Sequence, residues 1–245
     1  MTKEQDMLAH LNRSLANLKL DRPEKALEDA VRGGGSPQRS EKGLFREAKA
    51  LYTLNKYDSC LQTLQAMVAS YPNNKEGWSD IERVKQRLRE QKTGAYNFRT
   101  MQNQAKTTPP IIDCATYVGN VAIRPSPGYG RGLFTTHPVK AGELLLCEKA
   151  IAYSYAGNDD PIGSRNQSLL VNMSTNTMTL GGQAYLISQA VQKLYHNPDS
   201  ASAFKELYHG DYQPVTVAEV DGKPIVDTYV ATLPVMPSTS RCANF

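Results

Sequence analysis

The segment that most constrains the fold is GYGRGLF at residues 128–134, in which glycine occupies every second position at its start. Glycine adopts positive φ angles without a steric penalty and lets the backbone pass close to another group. In the preceding residues 118–124, Val121 and Ile123 alternate with polar or small neighbours, a pattern typical of a strand. The sequence therefore predicts two short antiparallel strands joined at the glycines.

A second turn signal follows the glycines, the residues KAGE at 140–143. Residues 144–155 are then largely apolar, with Glu148 and Lys149 as the only charges, and predict a long third strand in an antiparallel meander. A dinucleotide fingerprint would need a glycine in place of Leu133 and a helix after the motif, and a P-loop would need Gly-Lys-Ser/Thr. A glycine-rich hairpin that binds no ligand stays open from the residues alone.

The composition is that of an ordinary globular chain. Its 245 residues suffice for one large or two modest domains, and 40% hydrophobic and 21% charged residues are typical values. A net charge of +4 is too small to indicate a nucleic-acid partner by itself. The N-terminus is polar and no apolar run reaches about 18 residues, so we expect a nuclear or cytoplasmic protein that is neither secreted nor membrane-spanning. The cysteines are far apart and predict neither a zinc site nor a disulfide framework: Cys60, Cys114, Cys147 and Cys242.

The first ninety residues contain a repeat. The pattern leucine, polar, basic, ring, acidic, polar, small, leucine occurs at 20–27 and again at 54–61, an offset of 34 positions that matches the tetratricopeptide (TPR) period. Small residues at Ala48 and Cys60 would let two helices of the second unit approach closely. The first unit is degraded, since a glycine run from Gly33 replaces the end of its second helix. The apolar contacts of the second unit are expected from Leu44, Leu51, Tyr57, Leu61, Leu64 and Met67.

A third helix is predicted for residues 76–92, with Trp78 in register with Leu44. Its many charges, among them Arg83 and Arg87, favour a capping helix whose last face meets water. A basic surface for nucleic acid is the alternative, which the interrupting glutamates and the lack of interleaved aromatic residues disfavour. Docking onto the following domain and partner binding are equally open roles for these repeats. In the linker 93–112, Tyr96, Phe98 and Met101 predict a short packed helix.

The residues Gly-Arg-Gly-Leu-Phe, a gap of about five, and then Lys-Ala-Gly-Glu-Leu-Leu-Leu are similar to the N-terminal motif of SET domains over some thirty positions. Following TPR-like repeats, they make the chain resemble a fungal group of TPR–SET proteins. These are relatives of the SMYD lysine methyltransferases without the zinc-binding MYND finger. The resemblance implies an α+β fold, with all-α TPR-like helical hairpins followed by a β-rich partial SET domain carrying a helical insertion.

The resemblance also implies a cofactor, S-adenosyl-L-methionine, and protein partners or substrates bound through the TPR and SET surfaces. By position in the motif, Gly130, Arg131, Gly132 and Leu133 would contact the cofactor largely through backbone groups. The implied organisation is TPR-like repeats with a capping helix at 1–92, a linker at 93–112, the first half of SET at 113–229 with a helical insertion at about 158–212, and a divergent tail at 230–245. Within the insertion, a helix containing Leu186, Ala190 and Leu194 should end at Asn197-Pro198, with a further helix from Asp199.

The second half of the SET motif set is not found in this sequence. The family's cofactor-binding Asn-His pair has no counterpart, since His196-Asn197 has the reverse order. Gly210-Asp211-Tyr212 precedes the place where the family's channel tyrosine belongs, so no catalytic residue is assigned. The resemblance therefore implies a SET-type lysine methyltransferase chain that is truncated within the SET domain and lacks its catalytic half. The alternative is a non-catalytic TPR interaction module with a SET remnant.

Overall fold

The computed structural model describes residues 2–34, 39–107, 109–154, 169–172, 177–199, 204, 219–220 and 223–224. The helices are α1 (Lys3–Lys19), α2 (Pro23–Gly33), α3 (Glu41–Thr53), α4 (Tyr57–Ser70), α5 (Lys75–Thr93), α6 (Phe98–Gln104) and α7 (Gly181–His196). The strands are β1 (Tyr117–Val118), β2 (Val121–Ser126), β3 (Gly130–Thr135), β4 (Leu146–Cys147), β5 (Leu169–Asn172), β6 (Thr177–Leu180), β7 (Glu219–Val220) and β8 (Lys223–Pro224). The chain is α+β with a helical N-terminal region, which confirms the predicted fold class.

The first five helices form two hairpins and a final helix that repeat at the predicted interval. The turns of the two hairpins contain Asp21 and Asn55, 34 positions apart, with φ angles of 54° and 58°. The hydrogen bonds around the turns are also equivalent, because Asp21 N–H donates to Leu18 and Asn55 N–H donates to Tyr52. A non-glycine residue with positive φ is uncommon. Its recurrence shows that the sequence period is also a structural period.

Small residues join the two helices of each hairpin. The hydroxyl of Ser14 donates to the carbonyl oxygen of Ala26 at 2.7 Å, and the thiol of Cys60 donates to that of Ala48 at 3.2 Å. These contacts occupy equivalent positions of the two repeats. The donor lies on the first helix of the first repeat and on the second helix of the second repeat. The first repeat, although degraded in sequence, therefore keeps the close helix approach. Its second helix is shorter, with 11 residues in α2 against 14 in α4, because it ends at Gly33.

The main apolar core lies among α3, α4 and α5. The predicted contact residues Leu44, Leu51, Tyr57, Leu64 and Met67 are all buried there, and α5 contributes Ile81, Val84 and Leu88. Ala115, which follows the linker, belongs to the same core. The helical repeats thus bury part of the segment that leads to the strands.

The strands form two-stranded antiparallel ribbons in the described part of the chain. β2 pairs with β3, with Val121 opposite Thr135 and Ser126 opposite Gly130, which confirms the hairpin at the glycines. β4 pairs with β1, so the meander predicted from residues 144–155 is wrong in its third strand. A strand forms only where a neighbouring strand supplies hydrogen bonds, and β1 has only two residues that pair with β4. The apolar run of twelve residues does not show that β4 is limited to this length.

The segment expected as a helical insertion contains a β-hairpin before its helix. β5 and β6 are antiparallel, with Leu169 opposite Leu180, and α7 begins at the next residue. The helix buries Ala190 and Leu194 and ends at His196, as its apolar stripe predicts. The prediction is therefore right for α7 and wrong for β5 and β6. Each of these strands has four residues, too few for periodicity to separate strand from helix.

The chain divides into two compact units, Met1–Ile151 and the residues from Ala152 onward. The helix predicted after Asp199, the end of the predicted SET half up to residue 229 and the tail 230–245 fall outside the described residues, apart from Phe204, β7 and β8. The predicted domain boundaries stay a prediction. No helix in the described ranges has both the length and the apolar character needed to span a membrane.

Candidate functional site

The glycine segment forms the tip and second strand of the β2–β3 hairpin. Gly128 and Gly130 both have φ of +79°, a conformation that strains any residue with a Cβ. A Cβ added to Gly130 would meet no other described atom within 4 Å. This glycine is therefore required by the backbone conformation, and the space beside it is open to a ligand.

Gly132 has a different physical role. A Cβ at this position would lie 2.8 Å from the ring of Phe134, which packs over the glycine on the same face of the ribbon. On the other face, Leu133 stands opposite Ile123, and their exposed fractions are 54% and 69%. The hairpin thus has apolar side chains on a face that the described residues leave open.

The outer edge of β3 offers backbone groups. Thr136 N–H donates to the carbonyl of Asn120, and hydrogen-bonded pairs alternate along an antiparallel ladder. Leu133 therefore falls at a non-hydrogen-bonded pair, and its N–H and carbonyl point away from β2. Pro125, which has no N–H to donate, also occupies such a pair, opposite Arg131. All four predicted cofactor-binding residues lie on this strand, and two of them direct backbone groups to its outer edge.

A second, more elaborate site lies 15 to 20 residues earlier in the chain, around the carboxylate of Asp113. The hydroxyl of Tyr52 on α3 donates to both carboxylate oxygens, at 2.7 and 2.9 Å. On α5, Nε of Arg83 donates to Oδ2 at 2.7 Å, and the guanidinium of Arg87 lies 3.0 Å from the same oxygen. Burial alone would raise the pKa of Asp113, but hydrogen bonds from Arg83 and Tyr52 and the nearby positive charges outweigh it and lower the pKa. The carboxylate is thus held in its charged form.

The backbone next to Asp113 is bound as well. Arg87 donates to the carbonyl oxygen of Asp113, and Glu90 accepts the N–H of Ala115 at 2.9 Å. Arg87 and Glu90 also pair with each other at 2.6 Å, and their side chains are only 4% and 3% exposed. From the linker, the hydroxyl of Tyr96 donates to the carbonyl of Ala115 at 2.6 Å. Residues 113–115 are therefore fixed along α5 through both side-chain and backbone groups.

This cluster corrects two expectations about the linker region. The charged face of α5 does not simply meet water, because Arg83, Arg87 and Glu90 bind residues 113–115. The linker helix α6 forms as predicted but does not pack as expected, since none of its residues is buried. The basic residues of α5 are the signal in the sequence that could have indicated this cluster. Their partners lie 25 to 30 positions away, beyond the reach of a helical pattern.

Lys149 makes a further contact between the β region and the repeats. Its Nζ donates to Oδ1 of Asn55 and to the hydroxyl of Tyr57, each at 3.1 Å. Burial lowers the pKa of Lys149. The ammonium therefore lies on the turn between α3 and α4. This placement indicates a structural role for Lys149, which has no catalytic role assigned from the sequence.

In the part of the chain that the structure describes, no three histidine, cysteine, aspartate or glutamate side chains are grouped to hold a metal ion. Neither a protein-family model nor a solved structure matches this chain. The sequence is 46% identical to a methyltransferase of Gibberella zeae over 227 residues, which is 93% of this chain and 31% of that protein. It is 31% identical to human peptidyl-prolyl cis-trans isomerase FKBP4 over 85 residues, 35% of this chain and 18% of that protein. The chain spans about a third or less of the length of these relatives.

Proposed function

We propose that this chain carries the TPR-like repeats and the first part of the SET domain of an S-adenosylmethionine-dependent protein lysine methyltransferase. The observation that carries the proposal is the 46% identity to a methyltransferase along nearly the whole chain. The SET-like motif adds the finer assignment, because it falls on the β2–β3 hairpin, where Gly128 and Gly130 leave open space beside the backbone.

The hairpin residues fit a role in holding the cofactor. Gly130 presents an open backbone at the tip, and Leu133 directs its N–H and carbonyl to the outer edge of β3. Arg131 would add backbone groups at the same outer edge, Gly132 lies between Arg131 and Leu133 on the strand, and the leucine side chain would shield the cofactor. The cofactor would supply the methyl group that is transferred to a lysine amine. The contribution of these residues to the rate is then alignment of that group with the incoming amine.

Cofactor binding by the chain tests the proposal. Titration with S-adenosylmethionine should raise the melting temperature, because a ligand that binds only the native state stabilises it by RT ln(1 + [L]/Kd). Gly130→Ala should weaken that binding at least tenfold. Gly142→Ala is the matched control, since Gly142 has φ of +86° and equally open surroundings but lies outside the predicted cofactor set.

Two results contradict the proposal. The first is a wild-type chain that shows neither a melting shift nor a calorimetric signal at millimolar S-adenosylmethionine. The second is equal loss of binding in the two alanine variants, which would mean that backbone strain and not cofactor contact explains the effect. In either case a non-catalytic interaction module would describe this chain better.

A further inference from the structure

The contacts of Asp113 have the character of a peptide complex within one chain. Three side chains from two helices converge on a single carboxylate, and two of the same helix's side chains bind backbone groups of residues 113 and 115. We infer that Tyr52, Arg83, Arg87 and Glu90 form a binding site for a non-helical peptide segment with an aspartate, and that the chain fills this site with its own residues 113–115. This site is distinct from the glycine hairpin and does not depend on methyl transfer.

The ligand class follows from the donors. Tyr52 and Arg83 donate to the carboxylate of Asp113, and the guanidinium of Arg87 lies 3.0 Å from it, so the position selects a negative charge. The two following residues, Cys114 and Ala115, are small and buried, so the site would reject a bulky residue there. Residues 113–115 lie outside any helix or strand, and α5 binds their backbone at residues 113 and 115. The site therefore takes an acidic residue followed by two small ones in a segment that is not helical.

Comparison with the preceding repeat indicates why residues 113–115 act as a ligand and are not part of another helical repeat. Lys49 of α3 is the equivalent of Arg83, 34 positions earlier, and pairs at 2.7 Å with Asp80 of α5, the helix that is equivalent to α3 in the following unit. Arg83 lies on the last helix of the stack and takes its carboxylate from Asp113, which lies outside any helix or strand. The last helix therefore presents an acid-binding position that another acidic segment can fill.

The guanidinium of Arg87 retains unused donor capacity. Its Nε is buried and has no hydrogen-bond partner among the described residues, while its other nitrogens bind Glu90 and Asp113. A buried donor without an acceptor is destabilising, because its lost hydrogen bond to water is not replaced. The cis segment is therefore an imperfect occupant. A peptide with one more acceptor would satisfy the site better.

The test uses the full 245-residue chain and a fluorescent peptide with the sequence of residues 109–118, PPIIDCATYV, under reducing conditions. Fluorescence anisotropy compares wild type with Asp113→Ala, in which the cis carboxylate is lost. The variant should bind the peptide at least tenfold more tightly than wild type, because an occupied site reduces the apparent affinity by the fraction that is free. A peptide with asparagine in place of the aspartate should bind the variant at least tenfold more weakly, and Arg83→Gln in the Asp113→Ala background should abolish binding.

Each result decides the matter. An Asp113→Ala chain that keeps its helical circular dichroism and binds no peptide overturns the inference, as does equal binding of the aspartate and asparagine peptides. If Asp113→Ala does not fold, Asp113→Asn replaces it, since the amide retains an acceptor for Tyr52. If both variants unfold, residues 113–115 are an obligatory part of the fold and the site is not an exchangeable one.

Discussion

Two ion pairs of α5 allow the energetic role of burial to be measured in one helix. Arg87 pairs with Glu90 and Lys85 pairs with Glu82, both at a spacing of three residues and at 2.6 and 2.7 Å. The side chains of the first pair are 4% and 3% exposed, whereas those of the second are 53% and 73% exposed. We therefore predict a large loss of stability for Arg87→Met and a small one for Lys85→Met, the variants that remove the cation of each pair.

The magnitude for Arg87→Met follows from what it leaves behind. Glu90 would stay buried with only the N–H of Ala115 and the amide of Gln86 as partners, and loss of one member of a buried pair costs about 3–5 kcal/mol. For a domain of this size about 1 kcal/mol lowers the melting temperature by 2–4 °C, so we expect a loss of about 6–20 °C. Lys85→Met should cost about 0.5 kcal/mol or less, because exposed pairs contribute little.

Urea unfolding followed by circular dichroism gives both free energies, and a double variant separates charge from packing. Arg87→Met combined with Glu90→Gln removes the unpaired anion, so it should be less destabilised than Arg87→Met alone by about 1–3 kcal/mol. Free energies of unfolding of Arg87→Met and Lys85→Met that differ by less than about 1 kcal/mol would refute this reasoning. A double variant that is the least stable of the three would also refute it.

Three further predictions concern titratable groups. Because the folded-state pKa of Asp113 is lowered, its contribution to stability is present above the ordinary aspartate pKa of about 3.9 and is lost as pH falls through the folded value. The stability advantage of wild type over Asp113→Asn should accordingly shrink below about pH 4 in urea titrations. Burial raises the pKa of the Cys60 thiol to about 12, so mass spectrometry should find it unmodified by iodoacetamide at pH 8 in the native chain and modified in urea. Asp29 accepts from Arg13, His10 and Asn17, so Asp29→Ala should lower the melting temperature of the chain, whereas the exposed Asp58→Ala should leave it nearly unchanged.

The parts of the fold that the sequence predicted are those set by local spacing. The 34-residue period located both helical hairpins, because Asp21 and Asn55 adopt the same turn conformation and small residues recur at the helix contact. The glycine pattern located the β2–β3 hairpin, because Gly128 and Gly130 adopt the positive φ angles of its tip. Each of these features depends on residues that are near one another in the chain, and such features leave a readable pattern.

The parts that were missed depend on distant partners. The length of β4 is set by β1, about thirty residues earlier, and the state of the charges on α5 is set by Asp113 and Ala115. A polar helix with water as its neighbour and one with a bound acidic segment have the same local pattern. The sequence therefore shows the charges on α5 but not the residues that they bind.

These distant contacts also determine how firmly the hairpin is held. Residues 113–115 are anchored on α5 and lead directly into β1, whose Tyr117 ring lies 2.8 Å from the place that a Cβ on Gly94, at the end of α5, would take. β1 pairs with β4, and Asn120 then begins the hairpin with its hydrogen bond from Thr136. The glycine tip has no comparable contact in the described chain, and an isolated two-stranded ribbon is marginally stable. The hairpin is thus anchored at its base through residues 113–115 and β1, whereas its tip has open surroundings. Weakening the Asp113 cluster should therefore increase hydrogen exchange in β1 and at Thr136 before it affects the helical hairpin α1–α2.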